Sequence, residues 1–93
     1  MSPIFRISNT KNKKYDVYYN DKWISFGDKR YEHYKTSNEI PRNLHIHIYP
    51  EHHDEERRAQ YRARASKIVN NEGQLTYKDK NYANYWAYHC LWP

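Results

Sequence analysis

One stretch near the start of the chain carries two independent signals for the same β-hairpin. If Asn20 and Asp21 form a two-residue turn, Tyr18 pairs with Trp23, and alternation divides the flanking side chains between two sheet faces. The inner set is apolar and suited to a core: Tyr15, Val17, Ile24 and Phe26. The outer set is Asp16, Tyr18, Trp23 and Ser25. The turn and the face pattern agree on one register, so the sequence predicts a hairpin here.

Two further segments have the character of strands. Residues 4–7 form a short apolar run that suits an edge strand, and residues 44–49 alternate strictly between Pro41 and Pro50. A two-stranded hairpin alone is marginal in water, and a third strand at residues 44–49 would make a stable sheet.

Two helices are predicted in the second half of the chain. The first covers residues 54–69, with Asp54 as its N-cap and a narrow apolar stripe of Tyr61, Ala65 and Ile68. The second covers residues 82–92 and has apolar positions at helical spacing: Ala83, Trp86, Ala87, Cys90 and Leu91. The predicted fold is a single α+β domain over residues 1–93, with a two- or three-stranded antiparallel sheet (the β-hairpin) followed by two α-helices.

Composition favours a binding role over catalysis. Only 38% of the residues are hydrophobic, 17% are aromatic, and the formal net charge is +5. Such a balance favours acidic partners, and Tyr and Trp offer apolar area with a polar tip. The single cysteine excludes an intramolecular disulfide and indicates a protein that is intracellular or is assembled inside a cell. No run approaches the ~20 apolar residues of a membrane span.

The predicted contact residues are the outward aromatic side chains of the hairpin and the basic side chains around it and on the first helix. Tyr, Trp and Arg are the preferred anchors of protein interfaces. Lys and Arg also bind phosphates, and aromatic rings stack on bases. The sequence leaves a protein face and a nucleic-acid face open as alternatives. The candidate residues are Tyr18, Trp23, Lys29, Arg30, Arg57, Arg58, Arg62, Arg64, Lys67 and Trp86.

Neither a catalytic nor a metal site is predicted. His45 and His47 suit the solvent face of a strand, and Cys90 falls on the apolar stripe of the second helix, where a buried and inert thiol is expected. A metal-dependent enzyme built on His45, His47, His52 and His53 is the third and least favoured hypothesis, because zinc-type ligand spacings are missing. We expect no catalytic residue, no cofactor and no small-molecule substrate.

Three blocks, in order, resemble a known family. They are residues 24–34, residues 53–64, and the closing segment from Tyr85-Trp86 to Leu91-Trp92. Together they are similar to small uncharacterised basic proteins encoded by large nucleocytoplasmic DNA viruses, including algal viruses and mimivirus-like giant viruses. The resemblance covers most of residues 14–92. The chain departs from it at Ala65, where the family typically has His.

The resemblance implies a viral origin and brings no known enzyme activity. It raises the expectation of a virion-associated structural protein, made in the cytoplasm of the infected host cell and bound to larger capsid or core proteins. The alternative is a small basic DNA- or RNA-binding protein that uses the hairpin and the Arg-rich helix. For the first hypothesis we expect Trp23→Ala and Arg62→Ala to weaken assembly and to leave the monomer folded.

Overall fold

The computed structural model describes residues 3–45 and 50–93. A three-stranded antiparallel sheet has the order β1 (Ile4–Ile7), β2 (Lys13–Tyr19) and β3 (Lys22–Asp28). Two helices follow, α1 (Glu55–Ala65) and α2 (Ala83–Cys90). Short 3-10 helices lie at Arg42–Leu44 and Thr76–Lys78. The predicted α+β arrangement is confirmed.

The hairpin forms in the predicted register. Asn20 and Asp21 have φ values of 54° and 63°, as a two-residue turn of type I′ requires at both central positions. Tyr18 pairs with Trp23, and Tyr15 pairs with Phe26. The division of side chains into an apolar face and an outer face is therefore confirmed.

The third strand precedes the hairpin. β1 pairs with β2, so that Ile4 lies opposite Tyr18 and Ile7 lies opposite Tyr15. The predicted strand at residues 44–49 lies for the most part outside the described residues. Leu44 ends a 3-10 helix, and residues 46–49 lie outside the described residues.

The core lies between the inner face of the sheet and α2. Phe5, Tyr15, Val17, Ile24 and Phe26 are buried there, and α2 with the residue after it supplies a second set: Trp86, Cys90 and Leu91. The rings of Phe5 and Trp86 meet edge to face with centroids 5.8 Å apart. Burial of each large side chain stabilises the fold by about 1.5–3 kcal/mol, so the sheet and α2 hold each other in place.

Helix α1 starts where the sequence predicts and ends earlier. The Asp54 side chain caps it by accepting from the backbone N–H of Glu56 and of Arg57. The predicted end near residue 69 is wrong, because the chain turns back and Val69 forms a β-bridge with Leu75. Ile68 lies beyond the helix and is 47% exposed, so the predicted apolar stripe is shorter.

Candidate functional site

The outer face of the sheet carries a continuous row of exposed apolar side chains. Ile4, Tyr18 and Trp23 lie side by side across β1, β2 and β3. Their exposed fractions are 57%, 39% and 39%. The rings of Tyr18 and Trp23 contact each other edge to face, with centroids 5.1 Å apart. We call these three residues together with Arg6 the outer aromatic patch.

Arg6 completes the patch and is held in position by Asp16 on the neighbouring strand β2. Its guanidinium carbon lies 3.7 Å from the centroid of the Trp23 ring, and its Nε donates to Asp16 Oδ2 at 2.9 Å. The Ser25 hydroxyl donates to the other carboxylate oxygen of Asp16 at 2.6 Å. Burial alone would raise the pKa of Asp16, but hydrogen bonds from Ser25, Ser8 and Arg6 outweigh it and lower the pKa. A charged Asp16 therefore orients Arg6 before any partner binds.

The basic residues after β3 differ in their contacts. Arg30 makes two hydrogen bonds to the Asp28 carboxylate, from Nε at 3.1 Å and from Nη2 at 2.8 Å. These hydrogen bonds lower the pKa of Asp28 to about 2. Lys29 is exposed and has no carboxylate within 4 Å among the residues that the structure describes. Of Lys29 and Arg30, Lys29 is therefore the one whose charge is not compensated by a neighbouring carboxylate.

Most arginines of α1 are used inside the fold. Arg57 Nη1 donates to Glu32 Oε2 at 2.9 Å. Arg58 donates to the carbonyl oxygen of Pro93 and lies over the Tyr34 ring. The predicted Arg-rich contact face is therefore smaller than expected, because these cations already join α1 to other parts of the chain.

Arg62 is likewise a structural residue. Its Nη1 donates to the Trp92 carbonyl oxygen at 2.8 Å, and its guanidinium lies 4.2 Å from the centroid of the Tyr88 ring. The expectation that Arg62→Ala leaves the monomer intact does not fit these contacts. Arg64 and Lys67, like Arg62, have no carboxylate within 4 Å in the described ranges, but Arg64 and Lys67 are exposed.

Trp86 belongs to the core and not to a contact surface. It is 1% exposed, and its indole N–H donates to the Lys80 carbonyl oxygen at 2.8 Å. The prediction that Trp86 binds a partner is wrong, because the ring that faces Phe5 and Tyr19 cannot also reach a second molecule.

The described histidines and Cys90 are the residues that bear on the metal hypothesis. Within residues 3–45 and 50–93, no group of three or more His, Cys, Asp or Glu side chains is placed to hold a metal ion. The His45 ring contacts the Ile40 carbonyl oxygen at 2.8 Å, and His47 lies outside the described residues. Cys90 is fully buried, as predicted, and burial followed by the nearby Glu39 raises the pKa of its thiol.

A buried polar network was not predicted from the sequence. Lys14 is 1% exposed, and its ammonium donates to the Tyr31 carbonyl oxygen at 2.8 Å and contacts His33 Nδ1 at 2.8 Å. The second ring nitrogen of His33 lies 2.9 Å from the Thr36 hydroxyl. Burial lowers the pKa of Lys14 to about 8. Burial, followed by the charge of Lys14, lowers the pKa of His33 to about 3.

These pKa values fix the roles of the two side chains. His33 is neutral at physiological pH, so its Nδ1 accepts a hydrogen bond from the Lys14 ammonium and its Nε2 donates one to the Thr36 hydroxyl. The network ties β2 to the segment after β3. A lysine in a basic, polar run gave no sign of burial, since Lys is almost never fully buried unless it is paired.

In the described part of the chain, none of the helices is long and apolar enough to cross a membrane. Comparison with curated proteins found no match, and comparison with solved structures found none either. A family model does match the region that contains the sheet and the Lys14 network. Residues 4–42 are similar to a family of unknown function, DUF5754.

Proposed function

We propose that this protein is a non-enzymatic, virion-associated structural protein of a large DNA virus, and that it binds a larger virion protein through the outer aromatic patch. The observation that carries the proposal is the exposed row of Ile4, Tyr18 and Trp23 with Arg6 over the indole ring. Trp, Tyr and Arg dominate the energetic centres of protein interfaces. A patch already ordered by Asp16 loses little side-chain entropy on binding.

The charge of the patch defines the kind of partner. Arg6 neutralises Asp16, and the exposed Lys22 beside Trp23 adds a positive charge at the turn. The formal net charge of the chain is +5. A partner with an apolar pocket and an acidic rim complements this surface, because the pocket takes the indole ring and the rim faces Lys22.

The assignment to a virion rests on the sequence resemblance. The three blocks that carry it include residues 24–28 of β3, which contribute to the sheet that displays the patch. The matched family model covers the whole sheet and brings no function of its own. Production in the host cytoplasm and packaging in the particle are parts of the same proposal.

A paired substitution tests the patch. Trp23→Ala removes the central ring, and a binding loss of about 2 kcal/mol, or roughly 30-fold, is expected of an interface anchor. Tyr31→Ala is the matched control, because Tyr31 is an exposed aromatic residue outside the patch at 65% exposure. The amount of each variant in purified particles is measured against the wild type. Equal incorporation of Trp23→Ala and wild type would reject the proposal.

Nucleic-acid binding is the second candidate. It is favoured by the lack of carboxylate partners at Lys29, Arg64 and Lys67 in the described ranges, together with the stacking surface of Tyr18 and Trp23. Binding to duplex DNA or single-stranded RNA would weaken with salt by a log–log slope of roughly 0.7–0.9 per phosphate contact. Titration of both nucleic acids at low salt decides the case, and the absence of binding to either removes this candidate.

A further inference from the structure

A cleft of about 610 Å³ opens between the end of the sheet and the two helices. Its sheet wall includes Lys13 and Phe26, and its other walls come from α1, α2, the segment after β3 and the residues after α2. The volume falls within the range of about 300–1,000 Å³ that is typical of small-ligand sites. The outer aromatic patch contributes no residue to it.

The α1 wall is one polar face of the helix. Arg57, Gln60, Tyr61 and Arg64 follow the i, i+3, i+4, i+7 spacing and all line the cleft. The two arginines are two turns apart, or about 10 Å along the helix axis. This wall offers hydrogen-bond donors at both ends and an aromatic ring between them.

The α2 wall is formed by Ala83, Ala87 and Asn84, and the Asn84 amide already donates to the Ala65 carbonyl oxygen and the Thr76 hydroxyl. Ala83 and Ala87 lie one helical turn apart and line the cleft, so α2 leaves open space opposite Tyr61. Trp92 also lines it and stacks on Tyr61 with centroids 4.2 Å apart and ring planes 8° from parallel. The stack fixes Tyr61, and the result is a rigid surface suited to a flat ring.

The charges that line the cleft are not balanced. Its carboxylates are already engaged, Asp28 by Arg30 and Glu32 by Arg57. Lys13 and Arg64 also line the cleft, and neither has a carboxylate within 4 Å in the residues that the structure describes. Lys14 adds the charge of its buried ammonium at the inner wall. The cleft therefore favours an anion.

We propose that this cleft binds a small aromatic anion, in which a planar ring carries a phosphate or a carboxylate. The ring lies between Tyr61 on α1 and Ala87 on α2, and Lys13 and Arg64 compensate the negative charge. This ligand site is separate from the outer aromatic patch and does not depend on the proposed virion role.

Four probe molecules test separately whether the aromatic ring, the negative charge, and the choice of phosphate or carboxylate determine binding. Adenosine 5′-monophosphate carries a ring and a phosphate, 1-naphthoate carries a ring and a carboxylate, adenosine has the ring alone, and inorganic phosphate has the charge alone. Each is titrated into ¹⁵N-labelled protein while backbone amide shifts are followed. We expect saturable shifts at Gln60, Ala83 and Ala87 with one or both aromatic anions, and at least tenfold weaker binding of adenosine and phosphate.

Three variants test the location. Ala87→Phe fills the cleft and is expected to abolish binding, with its melting temperature recorded to confirm that it folds. Arg64→Gln is expected to weaken the aromatic anion about tenfold. Lys67→Gln removes the same charge from an exposed position outside the cleft and is expected to change nothing.

Two results would overturn the proposal. One is the absence of saturable shifts at the cleft amides with both aromatic anions. The other is unchanged affinity in Arg64→Gln, which decides the matter even if Ala87→Phe does not fold.

Discussion

The buried ammonium of Lys14 makes the stability of the protein depend on pH in an unusual direction. The pKa of Lys14 is about 8 in the folded protein, against an ordinary value of 10.5 that applies in the unfolded chain. Below pH 8 both states carry the proton, and the folded state bears the full cost of a buried cation. Between pH 8 and 10.5 the unfolded state binds more protons, so the free energy of unfolding rises with pH.

The size of the effect follows from the two pKa values. The gap between 10.5 and about 8 corresponds to about 3 kcal/mol of stability that is missing below pH 8. The proton is lost progressively, so about 1 kcal/mol of this returns between pH 7 and pH 9. The contribution of Cys90 has the opposite sign, because a raised thiol pKa favours the unfolded thiolate as pH rises.

The variant Lys14→Met isolates the ammonium, because it keeps an unbranched side chain of similar length and removes the titrating group. Urea unfolding of the wild type and the variant is measured at pH 7, 8 and 9. Subtraction cancels the contributions of Cys90 and of the tyrosines, which both proteins share. From pH 7 to pH 9, the free energy of unfolding of the wild type is expected to rise by about 1 kcal/mol relative to that of the variant. If the difference in the free energy of unfolding between wild type and variant stays constant with pH, the claim that Lys14 is buried and charged is refuted.

Three further predictions, two of them with a control substitution, are each tested by urea unfolding at neutral pH. Arg62→Ala is expected to lower the free energy of unfolding by about 2–3 kcal/mol, because it removes a charged hydrogen bond and a cation–π contact. The control Lys67→Ala, at an exposed position, is expected to lower it by less than about 0.5 kcal/mol. Equal effects of the two substitutions would contradict the internal role of Arg62. Gly27→Ala is expected to lower the free energy of unfolding by about 2–4 kcal/mol, because φ is +79° and the new Cβ would lie 2.8 Å from Leu91 Cδ1. The control Gly73→Ala has a similar φ of +77° but no atom within 4 Å of the new Cβ, and it is expected to cost about 1–2 kcal/mol. Asp54→Ala is expected to cost about 1 kcal/mol by removing the helix cap, and an unchanged midpoint would show that the cap is not used.

The elements that could be predicted are those whose signals are local. The hairpin follows from a turn and an alternation that agree on one register, and Asp54 caps α1 through the backbone only two and three residues ahead. The exposure of Tyr18 and Trp23 follows from the same register. These features need no knowledge of the rest of the chain.

The features that could not be predicted depend on contacts between distant residues. The helical pattern predicts that Arg62 is a surface cation, and only its hydrogen bond to the distant Trp92 carbonyl oxygen shows that it is structural. Trp86 fits an apolar stripe and an interface anchor equally well until the sheet covers it. Lys14 is buried because the segment around Tyr31 and His33 folds over it, which nothing near Lys14 in the sequence indicates.

The most direct test of the central claim replaces residues of the outer aromatic patch by a photo-crosslinking phenylalanine in virus particles. Position 23 and position 18 carry the probe in turn, and position 31 is the exposed aromatic control. After irradiation of purified particles, mass spectrometry identifies what is joined to each position. We expect both patch positions to link to the same larger virion protein and position 31 not to do so. Particles that lack the protein, or crosslinks from position 23 to nucleic acid alone, would contradict the claim.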